Sequence, residues 1–239
     1  MSELLRLPVS PSVLEQRLEG RIAGVYNRYF KRLIGLLVAV PLLVVLSPVF
    51  ALIAIAIMLD SRGPVFYRGE RGGLNGRTFR IFKFRTMIPD AERVGGGTTA
   101  LGDPRITRVG AFLRKTKMDE FPQLLNIIRG EMCFVGPRPE LVRYTSQYSG
   151  SERYITLVRP GITDFSSIEF ISLDEVVGSG DADDVYERKV LQRKNQLRIK
   201  YVEQMSPWTD LQLFATTVLH AFAKFFRQLF GQRRVSGTH

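Results

Sequence analysis

The chain is poor in thiols and imidazoles. Its one cysteine, Cys133, rules out an intramolecular disulfide and a cysteine-cluster metal site. Between Met132 and Phe134 it reads as a core thiol rather than a nucleophile. The two histidines, His220 and His239, leave little room for zinc or imidazole chemistry. Neither G-x-x-x-x-G-K-[ST] nor G-x-G-x-x-G occurs, so a nucleotide would need another mode of binding. No repeat or low-complexity tract is visible. Acidic residues are also in deficit, 23 against 34 Lys and Arg, for a net charge of +11 over 239 residues. Such an excess suits an anionic partner.

Charge itself is missing from Leu33 to Leu59, where almost every residue is aliphatic. The run is interrupted by Pro41 and, near its middle, by Ser47-Pro48. Proline removes a backbone donor and crowds the preceding turn, so a bend is expected. The arms, Leu33–Leu46 and Pro48–Leu59, reach about 20 Å each, short of a hydrocarbon core of about 30 Å. The run is too long and starts too late for a cleavable signal peptide. Basic residues flank both ends: Arg28, Lys31 and Arg32 before, Arg62, Arg68 and Arg71 after. A spanning helix would translocate one basic cluster, so a re-entrant helix with both ends on the cytoplasmic face is favoured. The Ser47 hydroxyl is the natural partner for a carbonyl freed at the break. A buried core helix is the alternative; nothing else in the chain is apolar enough to wrap it. Beside a membrane segment, lipid head groups and phosphates outrank nucleic acid, and no nucleic-acid partner is expected.

The order of segments follows. Residues 1–32 form an interfacial lead, irregular to Gly20, then mixing Tyr26, Tyr29 and Phe30 with cations. Residues 33–59 are the membrane helix, 60–205 a cytoplasmic domain, and 206–239 an amphipathic helix and tail. In the domain, Val65–Arg68 reads as a short strand and Gly69–Gly76 as a turn. Thr78–Met87 reads as one strand, although Lys83 and Arg85 fall out of phase with Arg80. Ala91–Leu101 reads as a loop. Helices are expected around Ile106–Leu113 and from Thr116–Glu120 to Gly130, then a strand at Met132–Val135. Gly136-Pro137-Arg138-Pro139 is a rigid turn; Tyr144–Ser151 and Arg159–Thr163 also read as turns, and Val177–Asp184 as a loop. Val185–Met205 is a helix with Lys189, Arg193, Lys194 and Arg198 outward. Asp210–Phe230 is amphipathic through Leu211, Phe214, Val218, Phe222, Phe225 and Phe226; its aromatic face suits a bilayer and a protein core equally. The fold class is therefore mixed α/β, mainly helical, with short strands.

Asp119-Glu120 is the most promising chemistry. It lies at an expected helix start, where free N–H groups favour negative charge, and where acidic caps are common. Adjacent helical residues do not share a face, so the two carboxylates should have separate tasks. That disfavours a glycosidase pair and suits one nucleophile with one metal ligand. Lys83, Arg85, Arg105, Arg114 and Arg138 fall around expected turns, and Arg suits phosphate. The bland alternative is a solvated surface charge, preferred here for Arg105 alone.

These motifs resemble the bacterial sugar transferases, the monotopic phosphoglycosyl transferases that act on polyprenol phosphate. The resemblance is carried by Asp103-Pro104-Arg105-Ile106-Thr107, Arg114-Lys115-Thr116, Asp119-Glu120-Phe121-Pro122-Gln123, Asn126, Gly130 and Gly136-Pro137-Arg138-Pro139. Gly63-Pro64-Val65-Phe66, Lys83-Phe84-Arg85-Thr86-Met87 and the Ser47-Pro48 break match as well. It implies transfer of a sugar 1-phosphate from a UDP-sugar to undecaprenyl phosphate at the bacterial inner membrane, releasing UMP. It implies Asp119 as a nucleophile forming a covalent phosphosugar, Glu120 as a ligand of Mg²⁺, and Arg114 and Arg138 on phosphates. It also strengthens the re-entrant reading. A homodimer is compatible with the sequence but not specified by it. Asp164-Phe165-Ser166-Ser167 departs from the family pattern, and a phosphate-binding Arg expected nearby has no counterpart. The chain reads as a small form of the family. The alternative is a non-catalytic basic scaffold on the membrane surface, binding anionic lipid or nucleic acid.

Overall fold

The computed structural model describes residues 11–89, 91, 99–100, 102–171, 173, 176, 178 and 182–230; at 11, 12, 221, 222 and 224–230 it describes the helical backbone alone. The expected loop at Ala91–Leu101 lies largely outside the described residues, as do the side chains of Phe222, Phe225 and Phe226; of the loop expected at Val177–Asp184, residues 177 and 179–181 lie outside them and residues 182–184 are helical. Helices are α1 (Pro11–Ala23), α2 (Lys31–Asp60), α3 (Arg108–Thr116), α4 (Gln123–Arg129), α5 (Val142–Thr145), α6 (Phe165–Glu169), α7 (Ala182–Val185), α8 (Gln192–Gln204) and α9 (Pro207–Phe230). Residues 11–20, expected to be irregular, are helical, and α1 buries Leu18.

The apolar run organises the fold as α2, whose helical backbone runs on through both Pro41 and Ser47-Pro48. Pro48 has no amide to offer Val44 O, and the Ser47 hydroxyl donates to that carbonyl at 2.8 Å. One stripe of α2 faces the domain. Gly35 and Ala39 are buried, Leu43, Leu46 and Phe50 partly so, and Ile53 and Ile57 are buried again. The other face leaves Leu37, Val44, Val45, Leu52 and Leu59 exposed. Both ends are fastened to the same domain. At the start, Lys31 Nζ donates to Val135 O at 2.7 Å and pairs with Asp210 Oδ2 at 2.9 Å, while Arg32 Nη2 donates to Ile128 O at 2.8 Å. At the end, Asp60 Oδ2 accepts from Val109 N at 2.9 Å. Ile57, Phe84 and Leu113 pack there, each burial stabilising by about 1.5–3 kcal/mol.

Three two-stranded ladders cover the domain side of this helix. Antiparallel β1 (Phe66–Tyr67) and β4 (Lys83–Phe84) pair Phe66 with Phe84, and antiparallel β2 (Glu70–Gly72) and β3 (Thr78–Arg80) pair Arg71 with Phe79. The single strand expected over Thr78–Met87 is thus two. The phase slip between Arg80 and Lys83 marks the point where the chain changes partners. Asn126 bridges that gap, accepting from Phe82 N at 2.8 Å and donating to Arg80 O at 3.0 Å. Parallel β5 (Cys133–Val135) and β6 (Gly161–Thr163) form the third ladder, so part of the expected turn at Arg159–Thr163 is a strand. Gly161 is required there, since a Cβ would lie 2.1 Å from Gly136 N.

The first and last helices meet in a separate apolar cluster. Leu18 from α1 and Leu213 from α9 pack with Val135, Tyr201 and Val202. Tyr144, within an expected surface turn, is buried in α5. Lys194 and Arg198, expected to face outward from α8, are buried instead, because a polar cluster around Glu140 receives them. Cys133 is a core thiol donating to Val135 O at 3.0 Å, and burial pushes its pKa up.

Candidate active site

Three sequence-distant segments meet at Glu120. Lys117 takes a left-handed conformation (φ 60°) that ends α3 and turns the chain into a 3₁₀ turn, Met118–Glu120. A non-glycine residue in that region is uncommon. The turn puts Asp119 inside, 7% exposed, with Glu120 beside it. Strand β4 brings Lys83 Nζ to Glu120 Oε1 at 2.9 Å. The turn after β5 brings Arg138, whose Nη2 donates to the same oxygen.

Arg138 is itself held. Its Nη1 donates to Ile162 O at 2.7 Å, and its backbone N donates to Asp164 Oδ2 at 3.0 Å. Asp164 is fully buried, and its Oδ1 caps α6 by accepting from Ser167 N at 2.7 Å. The divergent segment after Thr163 therefore anchors the Gly-Pro-Arg-Pro turn. Arg159, the nearest arginine in sequence to that segment, donates to Gly130 O at 3.1 Å.

The neighbouring carboxylates are in different electrostatic states. Burial raises the Asp119 pKa, opposed by Lys83, Lys117 and Arg114, with Glu120 adding to the rise. Burial also acts to raise Glu120, but Arg138, Lys83 and Lys117 outweigh it and hold that carboxyl well below its usual range. Glu120 thus stays ionised with its cations. Asp119 carries the more basic oxygens, makes no hydrogen bond, and its Oδ1 is buried without a donor.

The other sequence candidates are placed as follows. Arg114 is close enough to act on Asp119, with its Nη1 3.5 Å from Thr86 Oγ1. Arg85 does not reach Glu120. It is buried at the end of α2, where Nη2 donates to Ser61 O at 2.6 Å and Ser61 Oγ at 3.0 Å. Arg105 is buried against Asp103, at 2.6 Å, rather than solvated on the surface. Ser47 and Pro48 lie mid-helix on α2. Two residues escaped the sequence reading. Asp164 stood only as a departure from a pattern. Gln123, fully buried and directly after Pro122, stood only as part of a motif, with no charge to suggest a role.

Among the described residues no three His, Cys, Asp or Glu side chains come together as a metal cage. Mg²⁺ does not require one, since it is held by one or two carboxylates with water and substrate phosphates. A buried, donor-free Asp119 oxygen beside ionised Glu120 fits that mode.

A family profile described as bacterial sugar transferase matches residues 26–224. An undecaprenyl-phosphate glucose phosphotransferase of Komagataeibacter xylinus is 36% identical over 218 residues, covering 88% of this chain and 38% of that protein. A UDP-glucose:undecaprenyl-phosphate glucose-1-phosphate transferase of Escherichia coli K12 is 35% identical, covering 84% of this chain and 42% of the relative. One of the same name from Caulobacter vibrioides is 34% identical, covering 87% and 76%. The chain spans about two fifths of the first two relatives, and both stretches hold the greater part of this chain. With the matched profile covering most of its length, the chain belongs to the bacterial sugar transferase family.

Proposed function

We propose that this protein moves a sugar 1-phosphate from a UDP-sugar to undecaprenyl phosphate, giving undecaprenyl-diphosphate-sugar and UMP. The observation that carries the reading is the convergence of Lys83 and Arg138 on Glu120, beside an Asp119 that is buried, bond-free and raised in basicity. The names of the relatives supply the substrate class.

Asp119 attacks the phosphorus nearest the sugar. The bond from that phosphorus to the bridging oxygen breaks, and UMP leaves with the electron pair. An oxygen of undecaprenyl phosphate then attacks the aspartyl phosphosugar, and the P–O bond to Asp119 breaks to regenerate the carboxylate. Arg138, Lys83 and Arg114 offset charge on the phosphate oxygens, and Asp164 keeps Arg138 in register. Glu120, with Asp119 adjacent, would hold Mg²⁺. Bound there, the ion neutralises charge on the diphosphate.

The protein is monotopic in this reading, with α2 re-entrant at Ser47-Pro48 and the catalytic domain on the cytoplasmic face of the inner membrane. Lys31 and Arg32 at one end of α2, and Asp60 at the other, bond to one polar domain. A helix crossing the bilayer would carry one end away from that domain. The exposed apolar face of α2 is left for lipid.

The enzyme should release UMP with undecaprenyl phosphate, Mg²⁺ and at least one member of a UDP-sugar panel. No release across the panel would leave the basic scaffold. Gly20→Cys and Glu70→Cys are exposed positions, and native Cys133 is buried and silent. Both introduced thiols should react from the cytoplasmic side of sealed vesicles; labelling from opposite sides would end the re-entrant reading.

A further inference from the structure

The site holds one side chain that the mechanism above does not use. Gln123 is 0% exposed, and neither its Oε1 nor its Nε2 has a hydrogen-bond partner. A side-chain amide can offer two donors and an acceptor, and leaving all of them dry opposes folding. Apolar residues of similar volume would fill the position without that cost. Such a group is retained for a partner or a task.

A complementary group lies four residues back in the chain. From Lys117 to Leu125 the backbone coils without interruption through short-range bonds: Phe121 N to Met118 O, Leu124 N to Phe121 O, and Leu125 N to Pro122 O. Along this coil Phe121 is exposed, whereas Asp119, Pro122 and Gln123 are buried. Asp119 and Gln123 are therefore both buried positions of one short coil. Asp119 Oδ1 is buried and lacks a donor; Gln123 Nε2 is buried and lacks an acceptor. No other described carboxylate or amide shows this complementary pair of vacancies.

We propose that Gln123 is the positioning residue for the nucleophile. Its Nε2–H donates to Asp119 Oδ1 in the substrate complex and thereby presents the other carboxylate oxygen to phosphorus. The carboxylate otherwise has no hydrogen bond to fix its rotation, and the cations around it act as a field rather than as a fixed contact. In-line displacement tolerates little error in the attacking oxygen. Gln123 Oε1 stays free to accept from a buried water. This inference rests on Asp119 being the nucleophile.

The test is Gln123→Met, close in volume and unable to donate, with Gln123→Leu as a second variant. Both are assayed as full-length protein with undecaprenyl phosphate and the donor identified by the panel. Expected is a fall in kcat of about a hundredfold, with KM for the donor within about twofold and Tm equal to or above the parent. Formation of the phosphosugar adduct in a single turnover, read by intact-protein mass spectrometry, should slow by the same factor. Turnover within about twofold of the parent overturns the proposal. So does a rise in KM with kcat unchanged, which would make Gln123 a substrate contact. A loss in both variants matched by a lowered Tm would make the residue structural, and also overturns it. Asp119→Asn is run alongside. If that variant turns over, the nucleophile reading has failed; if it is dead while Gln123→Met is active, only this inference has.

Discussion

Asp119→Asn should lower turnover by about 10⁴-fold or more while leaving the folded protein at least as stable as the parent at neutral pH. The first half follows from chemistry. An amide oxygen is a poor phosphoryl nucleophile, and the remaining contacts to the diphosphate bind without forming the intermediate. The second half follows from burial. A carboxyl whose pKa is raised on folding, as that of Asp119 is by desolvation, opposes folding at neutral pH, where the unfolded chain holds it ionised. The neutral isostere removes that cost and keeps the shape. Loss of activity without loss of stability is the pattern of a residue kept for its reaction. UMP release and a thermal melt in the same detergent decide it. A variant that melts well below the parent would mark Asp119 as part of the scaffold, and one that turns over would remove it from the chemistry.

The parts of this fold legible in the sequence are those written in neighbouring residues. A charge-free stretch flanked by arginines announces α2, and the Ser47-Pro48 pair announces how its backbone is satisfied. The helix ending at Gly130 and the short strand at Cys133–Val135 have local signals too. What stays hidden is partnership over distance. Lys31 looks like one more interfacial cation, yet it is buried against residues 104 and 170 positions away. Lys83 and Arg85 look equivalent, two residues apart on one face of a strand. One turns to Glu120 and the other closes the end of α2, a choice set by where those elements pack. Arg159–Thr163 looks like a turn because proline and glycine dominate it; three residues of parallel pairing are too short to show periodicity. At the site, the Asp119-Glu120 pair drew notice by its own charge and place, and the role of Arg138 came through motif resemblance. Asp164 was not legible, because its work is to cap a helix and hold the backbone of Arg138, and neither task leaves a pattern in the sequence.

The same reasoning about buried charge gives a second large effect, away from the reacting atoms. Arg198→Met should destabilise the protein by about 3–5 kcal/mol. Arg198 is fully buried, and its Nη2 lies 2.9 Å from Glu140 Oε2. Its Nη1 donates to Asn195 Oδ1 at 2.8 Å, and the Tyr186 hydroxyl donates to the same oxygen of Glu140. Burial would raise the Glu140 carboxyl, but Arg198 and Lys194 pull it down to about 2. Against an unperturbed value of 4.5, that depression corresponds to about 3 kcal/mol. The sign is that of a lowered acid: the contribution is fully present above pH 4.5 and is lost as pH falls toward 2. Removing the arginine strands the carboxylate, so the melting temperature at neutral pH should drop by on the order of 10 °C. The gap between parent and variant should close as the pH is lowered through that window. Glu140→Gln alone strands the cation instead and should cost a similar amount, whereas the double variant should recover part of the loss, as expected of two residues that act as one unit. Turnover should fall with stability, because Glu140 follows Pro139 directly and its backbone carbonyl accepts from Gly72 N at 3.0 Å, tying the Arg138 turn to β2. Additive losses across the three variants would show that the pair is not coupled, and that the turn is held by its prolines and by Asp164 alone.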